Sequence, residues 1–188
     1  MNHPRESESI LTLRANVSES EAFREFRSAA FSSLVWRLGH GPLQRIALVY
    51  LPFSLYRLEY ELGRTRYTRF VALDQIEGAL DLIEFPAALG ADDLLSIHTR
   101  NKICPALSDE RAESLLQEKS LRLIFQQGFF RLSRPRLELD CALRQFHIPY
   151  WIGLYGKDGH LRCRALDAVR RRMEGAKAAL LFERWLTN

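Results

Sequence analysis

The same ordered series of short motifs occurs twice along this chain, and this duplication constrains the fold more than any other feature of the sequence. The spacing supports it, because the interval from the helix-opening serine to a shared aspartate is 56 residues in the first copy and 59 in the second. The matched anchors are Val17-Ser18 with Leu107-Ser108, Ala22 with Ala112, Tyr50-Leu51-Pro52-Phe53 with His147-Ile148-Pro149-Tyr150, Arg69 to Asp74 with Arg162 to Asp167, and Glu77-Gly78-Ala79 with Glu174-Gly175-Ala176.

Each copy predicts one amphipathic helix followed by a β-hairpin. Ser18 is a helix N-cap with Glu21 three residues later, and apolar residues then recur at helical spacing to Leu38, before Gly39-His40-Gly41-Pro42 ends the helix. Hairpin strands are predicted at 46–61 and 67–73 in the first copy. In the second copy a helix opens at Ser108, strands follow at 137–146, 147–155 and 161–166 with a turn at Lys157-Asp158-Gly159, and a last helix begins at Asp167.

This order predicts an α+β fold of two tandem βαββ-like repeats. The repeats would form a mostly antiparallel sheet with helices packed on one face, plus a C-terminal helix. We expect a single domain over residues 1–188, with a first half at 10–85, a connector at 86–107 and a second half at 108–188. Residues 75–85 fit either a strand or a helix.

One segment also resembles a known type of protein. The pattern Leu13-x-x-x-Val17-Ser18-x-x-x-Ala22, followed about 30 residues later by Tyr50-Leu51-Pro52-Phe53, is similar to a recurring unit of uncharacterised bacterial proteins. Some of those proteins carry a zinc ribbon, which needs paired CxxC motifs that this chain lacks. The resemblance covers residues 10–60, implies a strand-helix-strand unit there, and brings no catalytic residues.

Composition and cysteine usage predict a cytoplasmic protein without a membrane span. The chain has 188 residues, 47% of them hydrophobic and 27% charged, and its apolar stretches are far shorter than the roughly 20 residues of a spanning helix. The N-terminus lacks the apolar core of a signal peptide. The three cysteines, Cys104, Cys141 and Cys163, are widely spaced, so we expect them to be reduced and mostly buried.

Metal, cofactor and nucleophile chemistry find little support in the residue pattern. Only His160-x-x-Cys163 has zinc-like spacing, and alternate strand residues would point these two side chains apart, so no metal and no cofactor are expected. Cys141 and His147 lie in adjoining strands, but no nucleophile signature surrounds them.

The repeated carboxylates Asp74 and Asp167 are the most specific polar feature. Related by the duplication, they would either cap the segments that follow them or face each other as an acid–base pair in a cleft that Arg69 and Arg162 also line. Capping is the favoured interpretation. Tyr150 and Trp151, in a strand expected to be exposed at an edge, are candidate residues of a partner surface.

The cations are mostly arginine: only four of the 27 basic residues are lysine, and the net charge is +4. Coding bias and a functional anion surface would both give this count. Arg162 to Arg172, with aromatic residues upstream, would form the surface of a nucleic-acid module, but acidic residues dilute the charge and make nucleic acid the third choice. We therefore predict a non-catalytic interaction or ligand-binding module whose partner is a protein, a second copy or a small molecule, with an enzyme as the alternative.

Overall fold

The computed structural model describes residues 7–27, 41–62, 64–126, 136–157 and 160–187. In chain order the elements are β1 (Glu8–Leu13), α1 (Glu19–Arg27), β2 (Leu43–Leu62), β3 (Thr65–Asp74), β4 (Ile83–Phe85), a 3₁₀ turn (Ala91–Asp93), β5 (Leu94–Thr99), α2 (Asp109–Gln126), β6 (Leu137–Lys157), β7 (His160–Asp167), β8 (Arg172–Met173) and α3 (Ala176–Thr187).

The chain forms two compact units, and each takes segments from both halves of the sequence. The first unit contains residues 1–51, 95–103 and 147–188, and the second contains residues 52–94 and 104–146. Each of the long strands β2 and β6 therefore has one end in the first unit and the other end in the second.

Each unit is built on one antiparallel hairpin with the same register. In the second unit β2 pairs with β3 from Phe53 opposite Asp74 onward, and β4 adds to the free side of β3. In the first unit β6 pairs with β7 from Tyr150 opposite Asp167 onward, β8 adds to β7, and β1 runs parallel to β6. The α+β class, the mostly antiparallel strands and the C-terminal helix predicted from the sequence are thus confirmed.

The core of the first unit lies between α1 and the β6–β7 hairpin. Ala22 and Phe26 of α1, both fully buried, pack with Trp151, Tyr155 and other residues of that hairpin. The hydroxyl of Tyr155 donates a hydrogen bond to the Phe26 carbonyl at 2.9 Å. The helix of the N-terminal half of the sequence therefore packs on the hairpin of the C-terminal half.

The core of the second unit lies between α2 and the β2–β3 hairpin. Ala112 and Leu116 of α2 pack with Leu58, Val71 and Leu73 of the β2–β3 hairpin. All five side chains have at most 1% of their surface exposed. Here the helix of the C-terminal half packs on the hairpin of the N-terminal half.

Serine side chains begin both helices, as the sequence predicts. The Ser18 backbone N–H donates to Glu21 at 2.8 Å, and the Glu21 N–H donates to the Ser18 hydroxyl at 3.3 Å, which is a complete capping box. At α2 the Arg111 N–H donates to the Ser108 hydroxyl at 3.3 Å. The predicted extension of the first helix to Leu38, and its end at Gly39-His40, lie outside the described residues.

Several boundaries differ from the sequence prediction. The last helix begins at Ala176 and not at Asp167, because the intervening residues turn and Arg171 has a φ of 56°, which a helix does not accommodate. Residues 137–157 form one continuous strand instead of two, and Pro149 lies within it: it has no N–H to donate, but its carbonyl accepts the Ala168 N–H at 3.0 Å. Residues 75–85 form bends and then the short strand β4, and the connector 86–107 contains β5. Residues 158 and 159 of the predicted turn lie outside the described part.

None of the helices in the described part of the chain is long and apolar enough to cross a bilayer.

Candidate functional site

Asp74 lies at the end of β3 and organises the loop that follows. Its side chain is fully buried. One carboxylate oxygen accepts the backbone N–H groups of Ile76, Glu77 and Gly78 at 3.3, 3.2 and 2.9 Å, and the other accepts the Leu80 N–H at 2.9 Å. The carboxylate therefore satisfies four main-chain donors within the second unit.

Asp167 holds the matching position at the end of β7 in the first unit. It is also fully buried, and one of its oxygens accepts the N–H groups of Val169 and Arg170, both at 2.8 Å. Its second oxygen accepts the Nε–H of Arg170 at 2.6 Å instead of a further backbone donor. Both aspartates make the downstream contacts of the capping interpretation.

Arg69 and Arg162 belong to ion pairs inside their own units. Arg69 donates to the hydroxyl of Tyr60 at 2.9 Å and to Glu84 at 2.6 Å. Burial lowers the pKa of Arg69, but the bonds to Glu84 and Tyr60 outweigh burial, and the pKa is raised. Arg162 donates to Glu183 of α3 at 3.1 Å, and half of its side chain is exposed. Arg69 lies with Asp74 in the second unit, and Arg162 with Asp167 in the first.

Tyr150 and Trp151 are buried, which corrects the expectation of an exposed aromatic edge. Tyr150 is fully buried, its ring lies 5.6 Å from that of Phe182, and burial raises its pKa well above 10. Trp151 is 9% exposed and its indole N–H donates to the Val17 carbonyl at 2.9 Å. Consecutive strand residues point to opposite faces, so α1 covers Trp151 and α3 covers Tyr150.

The arginines at positions 170–172 form ion pairs with neighbouring carboxylates, and one of them also donates to a backbone carbonyl. Arg170 bridges Asp167 and Glu174, and Arg172 lies 3.7 Å from Glu174. Arg171 donates to the Asn16 carbonyl and to Glu21, both at 2.6 Å. This bond and the Ser18 backbone N–H, which has the larger effect, lower the pKa of Glu21 to about 2.

The cysteines differ in burial from one another, which corrects the expectation that they are mostly core. Cys104 and Cys141 are exposed, whereas Cys163 is buried and burial raises its pKa to about 12. None of the three forms a disulfide. Within the described ranges, no group of three or more His, Cys, Asp or Glu side chains has a geometry that would hold a metal ion.

Within the described part of the chain, cavities adjoin the helices. One of about 300 Å³ lies between β7 and α3 and includes Arg162, Cys163 and Leu180 in its wall. Another of about 380 Å³ lies beside α1 at Glu21 and Arg171.

The third cavity lies in the second unit and is the one that sequence reasoning missed. It has a volume of about 300 Å³, and its walls combine apolar groups with a hydroxyl, a phenol, two amides, a thiol, two carboxylates and a guanidinium. These lining residues include Ser54, Tyr56, Gln75, Leu107, Asp109, Glu113, Cys141 and Arg144. The signal available in the sequence was the alignment of the copies, which places the small Ser54 where the second copy has Trp151.

Burial of His147 is expected to make the free energy of unfolding of the first unit depend on pH. It is 2% exposed; the Leu11 carbonyl 3.1 Å from Nδ1 can only accept, so Nδ1 carries the proton, and Nε2 has no partner in the described structure. Burial first, and then the Lys102 charge, lower its pKa below 6.5. The unfolded chain binds this proton more readily than the folded chain. The contribution of His147 to the free energy of unfolding is therefore complete above pH 6.5 and decreases as the pH drops below it, by up to about 1.4 kcal/mol per pH unit.

We expect His147→Asn to remove this slope between pH 7 and 5, because the asparagine amide still donates to Leu11 and does not titrate. Urea unfolding at several pH values measures it. A slope that is the same in both proteins would contradict the assignment.

Comparisons of this chain with protein-family models, with curated proteins and with solved structures find no match.

Proposed function

We propose that this chain is a non-catalytic ligand-binding or interaction module, built from two copies of a βαββ-like unit that exchange their helices. Corresponding main-chain bonds support the duplication. Asn16 N–H donates to the Ala168 carbonyl in the first unit and Ala106 N–H donates to the Gln75 carbonyl in the second, both at 2.7 Å. The residue after each aspartate also donates to the carbonyl of the matched proline, Gln75 to Pro52 at 2.9 Å and Ala168 to Pro149 at 3.0 Å.

The observation that carries the binding role is the cavity of the second unit. The polar groups that suggested catalysis are engaged in internal bonds: Asp74 accepts four backbone N–H groups, and Asp167 accepts two and pairs with Arg170. The cavity instead presents chemically varied side chains around a space of about 300 Å³, the lower end of the range for small-molecule sites. The unpaired thiols support a reducing compartment such as the cytoplasm.

Saturation-transfer NMR with a panel of carboxylates, phosphates, amines and heteroaromatic compounds tests this proposal. We expect saturable binding of one class of compound, with every compound recovered unchanged after prolonged incubation. Conversion of a compound that Asp74→Asn or Asp167→Asn abolishes would contradict the proposal and support the enzyme alternative.

A further inference from the structure

Ser54 and Trp151 occupy the same position in the hairpins of the two units. Ser54 pairs with Leu73, and Trp151 pairs with Leu166. In each hairpin the residue that follows this partner is the buried aspartate. The two side chains can therefore be compared directly, each within its own unit.

In the first unit, an indole ring fills the space between the hairpin and the start of the helix. The Trp151 ring packs with Val17, Ala22 and Phe26, and its N–H donates to the Val17 carbonyl at 2.9 Å. Space for the aromatic rings is available because the next residue on that face is Gly153, where a Cβ would lie 2.9 Å from the Phe26 ring. This unit shows what the corresponding space accepts: a flat ring with one N–H donor.

In the second unit, the cavity lies beside the corresponding part of the hairpin, next to the start of α2. Leu107 directly precedes the helix-opening Ser108, as Val17 precedes Ser18, and it lines the cavity together with Ser54. A serine is far smaller than a tryptophan, and its hydroxyl donates to the Arg144 carbonyl of β6 instead of to the helix start. Ser54 therefore leaves room that the Trp151 indole fills in the other unit, and Tyr56, at the position of Gly153, forms one wall of the resulting cavity of about 300 Å³.

The charged side chains around the cavity indicate which charge a planar ligand should carry. Asp109 and Glu113 lie on the first turns of α2, and Arg144, 81% exposed, is 3.4 Å from Asp109. Two carboxylates against one guanidinium leave a net negative charge, which favours a ligand with an ammonium group. Tyr56 adds an aromatic wall, and burial raises the pKa of its hydroxyl, so the phenol stays neutral at physiological pH.

We propose that this cavity binds a planar heteroaromatic amine whose ring carries an N–H donor, with the ring in the place that corresponds to the Trp151 indole. The Leu107 carbonyl is the expected acceptor for the ring N–H, and the carboxylates of Asp109 and Glu113 receive the ammonium group. This inference rests on the proposed binding function and names its ligand class.

Titration of the ¹⁵N-labelled full chain with tryptamine tests the proposal. We expect saturable shifts at Ser54, Tyr56, Gln75 and Leu107. 1-Methyltryptamine, which lacks the ring N–H but keeps the ring and the ammonium group, should bind at least tenfold more weakly. Ser54→Trp should abolish the shifts because its own ring fills the cavity, whereas the matched variant Ser54→Ala keeps the cavity and should bind tryptamine within about threefold of the original chain.

Three results would overturn the ring site. They are the absence of tryptamine binding, shifts confined to residues outside this cavity, and equal affinity for tryptamine and its methylated form. The last two are read on the unaltered chain, so they decide the matter even if Ser54→Trp does not fold. Binding of another class of compound elsewhere would leave the binding module standing without this site, whereas conversion of the bound amine would overturn the proposed function itself.

Discussion

Replacing Asp74 by alanine is expected to destabilise the chain by at least about 3 kcal/mol, because four backbone N–H groups lose their acceptor and two of them are buried. Asp74→Asn should lose less. Its remaining oxygen still accepts from Ile76, Glu77 and Gly78, but its amide places a donor against the Leu80 N–H. Urea unfolding measures both, with the slope against denaturant as a check on two-state behaviour.

Asp92→Ala is the matched control, because Asp92 is an exposed aspartate in a 3₁₀ turn and should change stability by less than about 0.5 kcal/mol. Equal losses for Asp74→Ala and Asp74→Asn would contradict the account of the carboxylate as a main-chain acceptor.

Replacing Phe26 by alanine should cost about 3–5 kcal/mol, the usual cost of removing a fully buried aromatic ring. The ring packs between α1 and the β6–β7 hairpin, so its loss leaves a cavity in the first unit. Thermal and urea unfolding measure the change.

Phe23 on the same helix provides the control. It is 42% exposed and its ring lies 5.1 Å from the Arg27 guanidinium, so Phe23→Ala should cost about 1 kcal/mol or less. If Phe23→Ala were as damaging as Phe26→Ala, α1 would not present the face described to the hairpin.

Local features of the fold were predictable because local chemistry determines them. The capping box of Ser18 and Glu21 depends on two residues three apart, and the two hairpins follow from β-rich runs separated by turn residues. The exchange of helices was not predictable, because periodicity shows which face of a helix is apolar but not which apolar surface it meets. Ala22 and Phe26 would suit either hairpin.

The roles of the polar residues were predictable in part. The repetition of Asp74 and Asp167 pointed to main-chain acceptors, and both accept backbone N–H groups. The burial of Trp151 was missed because a strand pattern does not reveal that a helix from the other half of the sequence covers it. The cavity was missed for a related reason, since its walls come from the hairpin of one half of the sequence and the helix start of the other, which local patterns do not bring together.

In each unit the helix of one half of the sequence packs on the hairpin of the other half, and nuclear Overhauser effects between core side chains test this packing most directly. The account predicts contacts from the Phe26 ring to the Tyr155 ring and from the Leu116 methyl groups to those of Val71. Contacts from Phe26 to Leu58, and from Leu116 to Leu166, would show that each helix packs on the hairpin of its own half of the sequence and would contradict the packing described.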